Sequence, residues 1–167
     1  SAALSAADAT DDRSLQGNTL VNMGMLQQLL GDNAAAQSSL ERALAVVRDC
    51  GNALAEAVAL CNLGIVYEST DRRSIARSHY EAAVALARVL ENRYLEGQFL
   101  GYLGRLHARE RRHTEAAGCL DTGQALLEAA LDPVGLAILM CSRAEAAHLA
   151  GNDEAARRAV AVAEETA

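Results

Sequence analysis

The sequence has no Trp, no Lys and a single Pro, Pro133, and aromatic residues make up only 3% of its 167 residues. Sheets favour aromatic and β-branched residues, and Pro interrupts helices, so these shortages argue against sheets and permit long continuous helices. Hydrophobic residues make up 51% of the chain, and most of them are Ala and Leu, which are strong helix formers. The composition therefore predicts one all-α domain with a sizeable core.

Long apolar runs are also missing. No stretch approaches the ~18 apolar residues of a transmembrane helix, and no basic and apolar leader opens the chain. The net charge of −7 disfavours general binding to nucleic acid or to anionic lipid. We therefore expect neither a membrane nor a nucleic acid as a partner.

Reactive side chains do not form any familiar catalytic or metal-binding pattern. The cysteines Cys50, Cys61, Cys119 and Cys141 contain no CxxC pair, which predicts reduced thiols in a cytoplasmic protein. The four His residues contain no HxxxH pair, and no nucleophile with a base and no phosphate loop stands out. We expect no catalytic residue, no metal and no cofactor, and therefore no enzyme.

Internal repetition is the main positive signal. Gly24, Gly64 and Gly104 are spaced by 40 residues, and Ala144 takes the fourth place. Four further columns of apolar or small residues keep the same register. One lies four positions before the Gly24 column, and the other three lie twelve, sixteen and nineteen positions after it. Their members are Leu20, Leu60, Leu100 and Met140; Ala36, Ala76, Ala116 and Ala156; Leu40, Tyr80, Leu120 and Val160; and Ala43, Ala83, Gly123 and Ala163. Small residues at such positions let two helix backbones approach closely, so the columns predict four helix pairs.

The apolar spacing between turn signals is helical and gives the expected helices. They cover residues 2–10, 14–30, 33–49, 54–69, 73–90, 94–110, 113–130, 134–149 and 153–165.

The columns resemble the tetratricopeptide repeat. The second copy carries the family pattern best, with Leu60, Leu63, Gly64, Tyr67, Ala76, Tyr80 and Ala83. This resemblance implies an all-α, right-handed α–α superhelix of helix–turn–helix repeats, a single solenoid over residues 1–167. Its repeats would be 14–52, 53–92, 93–132 and 133–167. The period is 40 rather than 34 residues, similar to the extended repeats of kinesin light chains and of bacterial regulators.

Residues 2–10 align with the end of the second helix of a repeat. We interpret them as the end of a truncated repeat, so that the chain would be a fragment of a longer array.

The resemblance also implies that function lies on the concave groove lined by the first helix of each repeat. The expected groove residues are Asn18, Asn22, Met25, Asn62, Ile65, Glu68, Tyr102, Arg105 and Arg109. A side-chain amide can donate to a peptide C=O and accept from its N–H, so Asn22 and Asn62 suit gripping an extended backbone. Alternatively, they are solvated or cap a neighbouring turn.

Arg105 and Arg109 are four residues apart and share a helical face. They would favour an acidic peptide or an anionic ligand. Alternatively, they are favourable charges near a helix C-terminus.

Two functions fit these features. The first is a protein-interaction scaffold that binds a peptide or partner segment in the groove. The alternative is a ligand- or signal-peptide-sensing domain of a larger bacterial transcription regulator or signalling protein.

The end helices suggest a further interaction. The last predicted helix has apolar residues, including Val160 and Val162, around more than one side. We therefore expect weak self-association through the ends of the solenoid.

Overall fold

A computed structural model describes the backbone of residues 2–166 and the side chains of residues 11–166. Eight α-helices and no strand occur within this part of the chain, which confirms the predicted all-α fold of helix–turn–helix repeats. The helices are α1 (Ala2–Leu29), α2 (Asn33–Asp49), α3 (Ala53–Ser69), α4 (Arg73–Val89), α5 (Arg93–Arg109), α6 (His113–Ala129), α7 (Pro133–Leu149) and α8 (Asp153–Thr166).

The first helix differs from the prediction. The two helices expected at 2–10 and 14–30 are one continuous helix, α1, because residues 11–13 are Asp, Asp and Arg and include neither Gly nor Pro to stop the helix. The side chains of residues 2–10 lie outside the described part of the chain.

The turns between helices recur every 20 residues. Each turn places one residue in the left-handed region, with φ between 52° and 82°: Gly31, Gly51, Asp71, Glu91, Arg111, Leu131 and Gly151. The N–H of the next residue then donates to the carbonyl five residues before it, as in Asn52 N–H to Val47 O at 2.8 Å. This pattern is the Schellman motif, and it satisfies carbonyls that the helix end would otherwise leave unpaired.

Side chains cap the start of several helices. The side chains of Asp32, Asn52, Asn92 and Asn152 each accept a hydrogen bond from the backbone N–H three residues later, at 3.0 Å. Such caps stabilise a helix by about 1 kcal/mol each. The capping residues fix where α2, α3, α5 and α8 begin, and the left-handed residues fix where α1 to α7 end.

The chain divides into two compact units, residues 1–86 and residues 87–167. In the first unit, α1 and α2 form a helical hairpin, and α3 packs on both of them. Glycines permit the close approach of these helices. A Cβ at Gly24 would lie 2.5 Å from Leu40 Cγ, and a Cβ at Gly64 would lie 2.5 Å from Tyr80 Cε1. The large side chains therefore fill the space that the glycines leave, as the column pattern predicts.

In the second unit, α5 pairs with α6 and α7 pairs with α8, and α7 also packs on α5 and α6. The hydrophobic core includes Leu120, Leu127, Leu139 and Met140, all at most 2% exposed. Gly123 takes the small position here, since a Cβ would lie 2.7 Å from Leu139 Cδ1.

None of the helices described is both long and apolar enough to cross a membrane.

Candidate functional site

Two of the predicted groove residues line a cleft in the first unit. Asn18 and Asn22 lie one turn apart on α1 and face the start of α3 across this cleft, whose volume is about 350 Å³. We call it the α1–α3 cleft. It is lined by Asn18, Val21, Asn22, Asn52, Leu54, Ala55 and Val58. The cleft therefore combines three side-chain amides with an apolar floor.

The amide of Asn52 was not predicted as part of the site. Its Oδ1 caps α3 by accepting from Ala55 N–H at 3.0 Å, while its Nδ2 donates to Ser14 Oγ at 2.8 Å and reaches Asn18 Oδ1 at 3.5 Å. Asn at a helix start is ordinarily a cap. The cap uses only Oδ1 of Asn52. The two N–H donors of the same amide were the one sequence signal for its contact with α1.

Asn22 and Asn62 occupy the same column but have different environments. Asn22 is exposed, and its amide forms no hydrogen bond within the described chain. Asn62 is half-buried, and its Nδ2 donates to Val58 O of its own helix at 2.8 Å. The amide of Asn22 is thus available to a ligand, whereas that of Asn62 is partly engaged.

The other predicted groove residues of the first unit range from exposed to buried. Met25 is exposed and Ile65 is half-buried. Glu68 is only 7% exposed, and its Oε2 accepts a hydrogen bond from Tyr80 OH at 2.8 Å. Glu68 therefore pairs with the buried hydroxyl of α4 and does not form part of an open surface.

The predicted residues of the second unit interact with each other and with α7. The guanidinium of Arg105 lies 5.4 Å from the centre of the Tyr102 ring, a cation–π contact one turn along α5. Arg109 Nε donates to Glu145 Oε1 of α7 at 2.6 Å. This ion pair offsets part of the positive charge with which Arg109 would favour an acidic partner.

A polar cluster joins α2, α3 and α4 in the first unit. Tyr67 OH donates to Glu41 Oε1 at 3.1 Å, and the Tyr67 ring meets the His79 ring edge-on at 5.0 Å. Burial raises the pKa of the Tyr67 hydroxyl, and the hydrogen bond to Glu41 raises it further. Burial lowers the pKa of His79, although the hydrogen bond to Ile75 O opposes this change. These shifts follow from packing between helices.

Groups that could hold a metal are absent from the described part of the chain: no three His, Cys, Asp or Glu side chains converge there. None of the four cysteines forms a disulfide bond in the described part of the chain.

Comparisons with known proteins agree with this architecture. Residues 15–88 match the sequence profile of the tetratricopeptide repeat. No protein with a curated description matches the chain. Among solved structures, the crystal structure of BtubC (BKLC) from P. vanneervenii superposes with a TM-score of 0.75 at 17% sequence identity, over 92% of this chain and 64% of that chain.

The match to BtubC shows a shared fold, and this chain spans about 64% of the length of that protein. The family predicted from the Leu60–Ala83 pattern is confirmed, since that pattern lies within the matched residues. Residues 15–88 therefore belong by sequence to the tetratricopeptide repeat family, and the chain shares its fold with BtubC.

Proposed function

We propose that this chain is a protein-interaction module that holds an extended segment of a partner protein in the α1–α3 cleft. Tetratricopeptide repeats generally mediate interactions between proteins, which supports the broad class. The observation that carries the proposal is the exposed, uncommitted amide of Asn22 beside Asn18 in a cleft with an apolar floor.

The spacing of the two amides suits a peptide backbone. Asn18 and Asn22 are four residues apart on a helix, which corresponds to a rise of about 6 Å. Every second residue of an extended chain repeats after about 6.6 Å. A segment running along α1 can thus present the N–H and C=O groups of alternate residues to the two amides, which bind them without selecting a sequence.

Apolar side chains supply the remaining contact. Leu54 is exposed at the edge of the cleft, and Val21 and Val58 form its floor. Side chains on one side of the bound segment would bury against them, and burial contributes about 25 cal/mol per Å². The preferred partner is therefore a segment in which apolar residues alternate with polar ones.

A sensor of a small ligand is less well supported by this cleft. Asn18, Asn22 and Leu54 are all exposed, so the cleft is open along its length. Small-molecule sites usually bury most of their ligand. An acidic preference is weakened by the pairing of Arg109 with Glu145.

A display library of random 12-residue peptides supplies a probe that presupposes no partner. Peptides selected on the purified chain are titrated by calorimetry against the wild type and against the variant with Asn18→Ala and Asn22→Ala. Two lost hydrogen bonds of ~1 kcal/mol each should weaken binding about 10- to 30-fold without lowering the melting temperature. Asn62→Ala should have a smaller effect, because its amide already bonds to Val58 O.

Gln16→Ala is the matched control, since Gln16 is an exposed amide on α1 outside the cleft. Equal affinity of the wild type and the double variant, or equal losses in the double variant and the control, would contradict the proposal.

A further inference from the structure

A cavity of about 230 Å³ lies between α6 and α7 in the second unit, with Ala155 of α8 on one side. We call it the α6–α7 cavity. It is lined by His113, Ala116, Ala117, Leu120, Arg143, Ala146, Ala147, Ala150 and Ala155. In another protein a dry apolar cavity of about 150 Å³ is large enough to bind benzene. The α6–α7 cavity therefore has room for one aromatic ring with a substituent.

The repeat explains why the cavity exists. Two periods of 40 residues separate α6, which begins at His113, from α2, which begins at Asn33, and the same shift relates α7 to α3 and α8 to α4. By this shift Val66, Tyr67, Thr70 and Ile75 correspond to Ala146, Ala147, Ala150 and Ala155. In the first unit Val66 is 0% exposed and Tyr67 is 8% exposed. The cavity is therefore the space that the Tyr67 ring and its neighbours fill in the first unit.

The hydroxyl of Tyr67 shows which polar group serves a ring in this place. Tyr67 OH donates to Glu41 Oε1 at 3.1 Å. The equivalent of Glu41 in the second unit is Asp121, so this position keeps a carboxylate although the tyrosine is replaced by alanine. Asp121 Oδ1 accepts a hydrogen bond from Nη2 of Arg143, the equivalent of Leu63, at 2.8 Å. The second unit thus lacks the phenol ring but has a carboxylate and a guanidinium in its place.

The guanidinium of Arg143 still has a donor to offer. Arg143 lines the cavity, and its Nε is buried without a hydrogen-bond partner in the described part of the chain. Buried polar groups are normally hydrogen-bonded. A phenolic hydroxyl both donates and accepts, so it can donate to Asp121 and accept from Arg143 at the same time.

The same ion pair disfavours charged aromatic ligands. A carboxylate on the ring would lie beside the carboxylate of Asp121, and an ammonium group would lie beside the guanidinium of Arg143. Like charges brought together in this way oppose binding. The pair therefore favours a neutral ring that carries a hydroxyl.

We propose that the α6–α7 cavity binds a small molecule with a phenol ring, placed as the Tyr67 ring is placed in the first unit. The ring packs against Ala146 and Ala147, and its hydroxyl bonds to the pair of Asp121 and Arg143. The volume leaves little space for the backbone of a peptide. Because the helices of this cavity differ from those of the α1–α3 cleft, the proposal goes beyond the proposed function and does not depend on it.

The probe is p-cresol, which is the tyrosine side chain without its backbone. The protein is isotope-labelled in its alanine methyl groups and titrated with p-cresol, and the methyl resonances are followed by NMR. We expect saturable ring-current shifts at Ala146 and Ala147. Ala125, which is exposed on α6 and lies outside the cavity, should show no shift.

Two variants separate the contributions of the ring and the hydroxyl. Ala147→Tyr supplies the residue of the first unit, so it should fill the cavity, raise the melting temperature and abolish the shifts. Ala125→Tyr is the matched control and should bind p-cresol like the wild type. Arg143→Lys keeps a charge that can pair with Asp121 but lacks the Nε donor. It should weaken p-cresol about fivefold, as for the loss of one hydrogen bond, and leave the binding of toluene unchanged.

The change at Arg143 tests the proposal even if the tyrosine variant packs poorly. The proposal would be overturned by the absence of saturable shifts at Ala146 and Ala147, or by equal losses of p-cresol and toluene in Arg143→Lys. Tighter binding of N-acetyltyrosinamide than of p-cresol would also overturn it, because a tyrosine of a peptide would then be the occupant.

Discussion

At the scale of single residues, glycine has two opposite roles in these helices. A Cβ at Gly64 would lie 2.5 Å from the Tyr80 ring, which is fully buried. A Cβ at Gly118 on α6 would meet nothing within 4 Å. The first glycine is thus required by packing, and the second only adds backbone freedom to the unfolded chain.

The two glycines give a paired prediction of stability. Gly64→Ala should lower the free energy of unfolding by about 1–3 kcal/mol, because the added methyl group overpacks the contact with Tyr80. Gly118→Ala should raise it by about 0.5–1 kcal/mol, because Ala favours the helix. Urea unfolding followed by circular dichroism measures both changes. Two changes of the same sign would contradict this account of the glycine column.

His79 makes stability depend on pH. Burial lowers its pKa below the usual value of about 6.5, so the unfolded chain takes up the proton first. The stabilisation is therefore complete above pH ~6.5 and is lost as the pH falls through the lowered pKa of the folded state. We expect His79→Gln to flatten the decline in melting temperature that begins below pH ~6.5. His113→Gln, at an exposed position, is the control, and an equal effect of both variants would argue against a special role for His79.

At the scale of helices and turns, the chain uses the same left-handed turn seven times, but only three of the turns have Gly there. Leu131 adopts a φ of 53° and is almost fully exposed, so it bears the steric cost of that conformation without burying its side chain. This cost is about 1–2 kcal/mol for residues with a Cβ.

Leu131→Gly relieves this strain but also gives the unfolded chain more conformational freedom, which opposes the gain. The net effect should be a stabilisation of the protein by about 0.5–1 kcal/mol. The reverse change at an equivalent turn, Gly151→Leu, should destabilise it by a similar amount. Thermal unfolding measures both variants. A Leu131→Gly variant less stable than the wild type would mean that the leucine side chain contributes contacts that outweigh the strain.

The sequence predicts helices well here because the signals for their ends are local. The helices α2 to α8 have the predicted ends to within one residue, since a capping residue or a left-handed turn stands at each junction. The break expected near residues 11–13 does not occur. That expectation relied on aligning residues 2–10 with the end of the second helix of a repeat, whereas Asp11, Asp12 and Arg13 do not terminate a helix.

At the scale of the whole molecule, the sequence predicts the placement of a site residue when a single helix determines its environment. It does not do so when a second helix contributes a partner. Asn18 and Asn22 lie together because both belong to one face of one helix. Glu68 is buried because Tyr80 of the next helix provides a hydroxyl, and Arg109 is paired because Glu145 lies on α7. A column pattern places side chains on a helix, but it does not predict which side chains of neighbouring helices will meet them.

The central claim is that the amides of Asn18 and Asn22 hold a peptide by its backbone. Two scans of one selected 12-residue peptide test this most directly. In the first series each peptide carries one N-methyl group on a different backbone nitrogen, and in the second each peptide has a different residue replaced by Ala. Calorimetry gives the dissociation constant of every peptide with the wild type and with the Asn18→Ala, Asn22→Ala variant.

The account predicts that N-methylation weakens binding to the wild type about fivefold or more at positions two residues apart, because each methyl group removes a hydrogen bond of ~1 kcal/mol. These losses should disappear in the double variant, which lacks the accepting amides. Losses confined to the Ala series, or N-methyl losses that are the same size in both proteins, would contradict it.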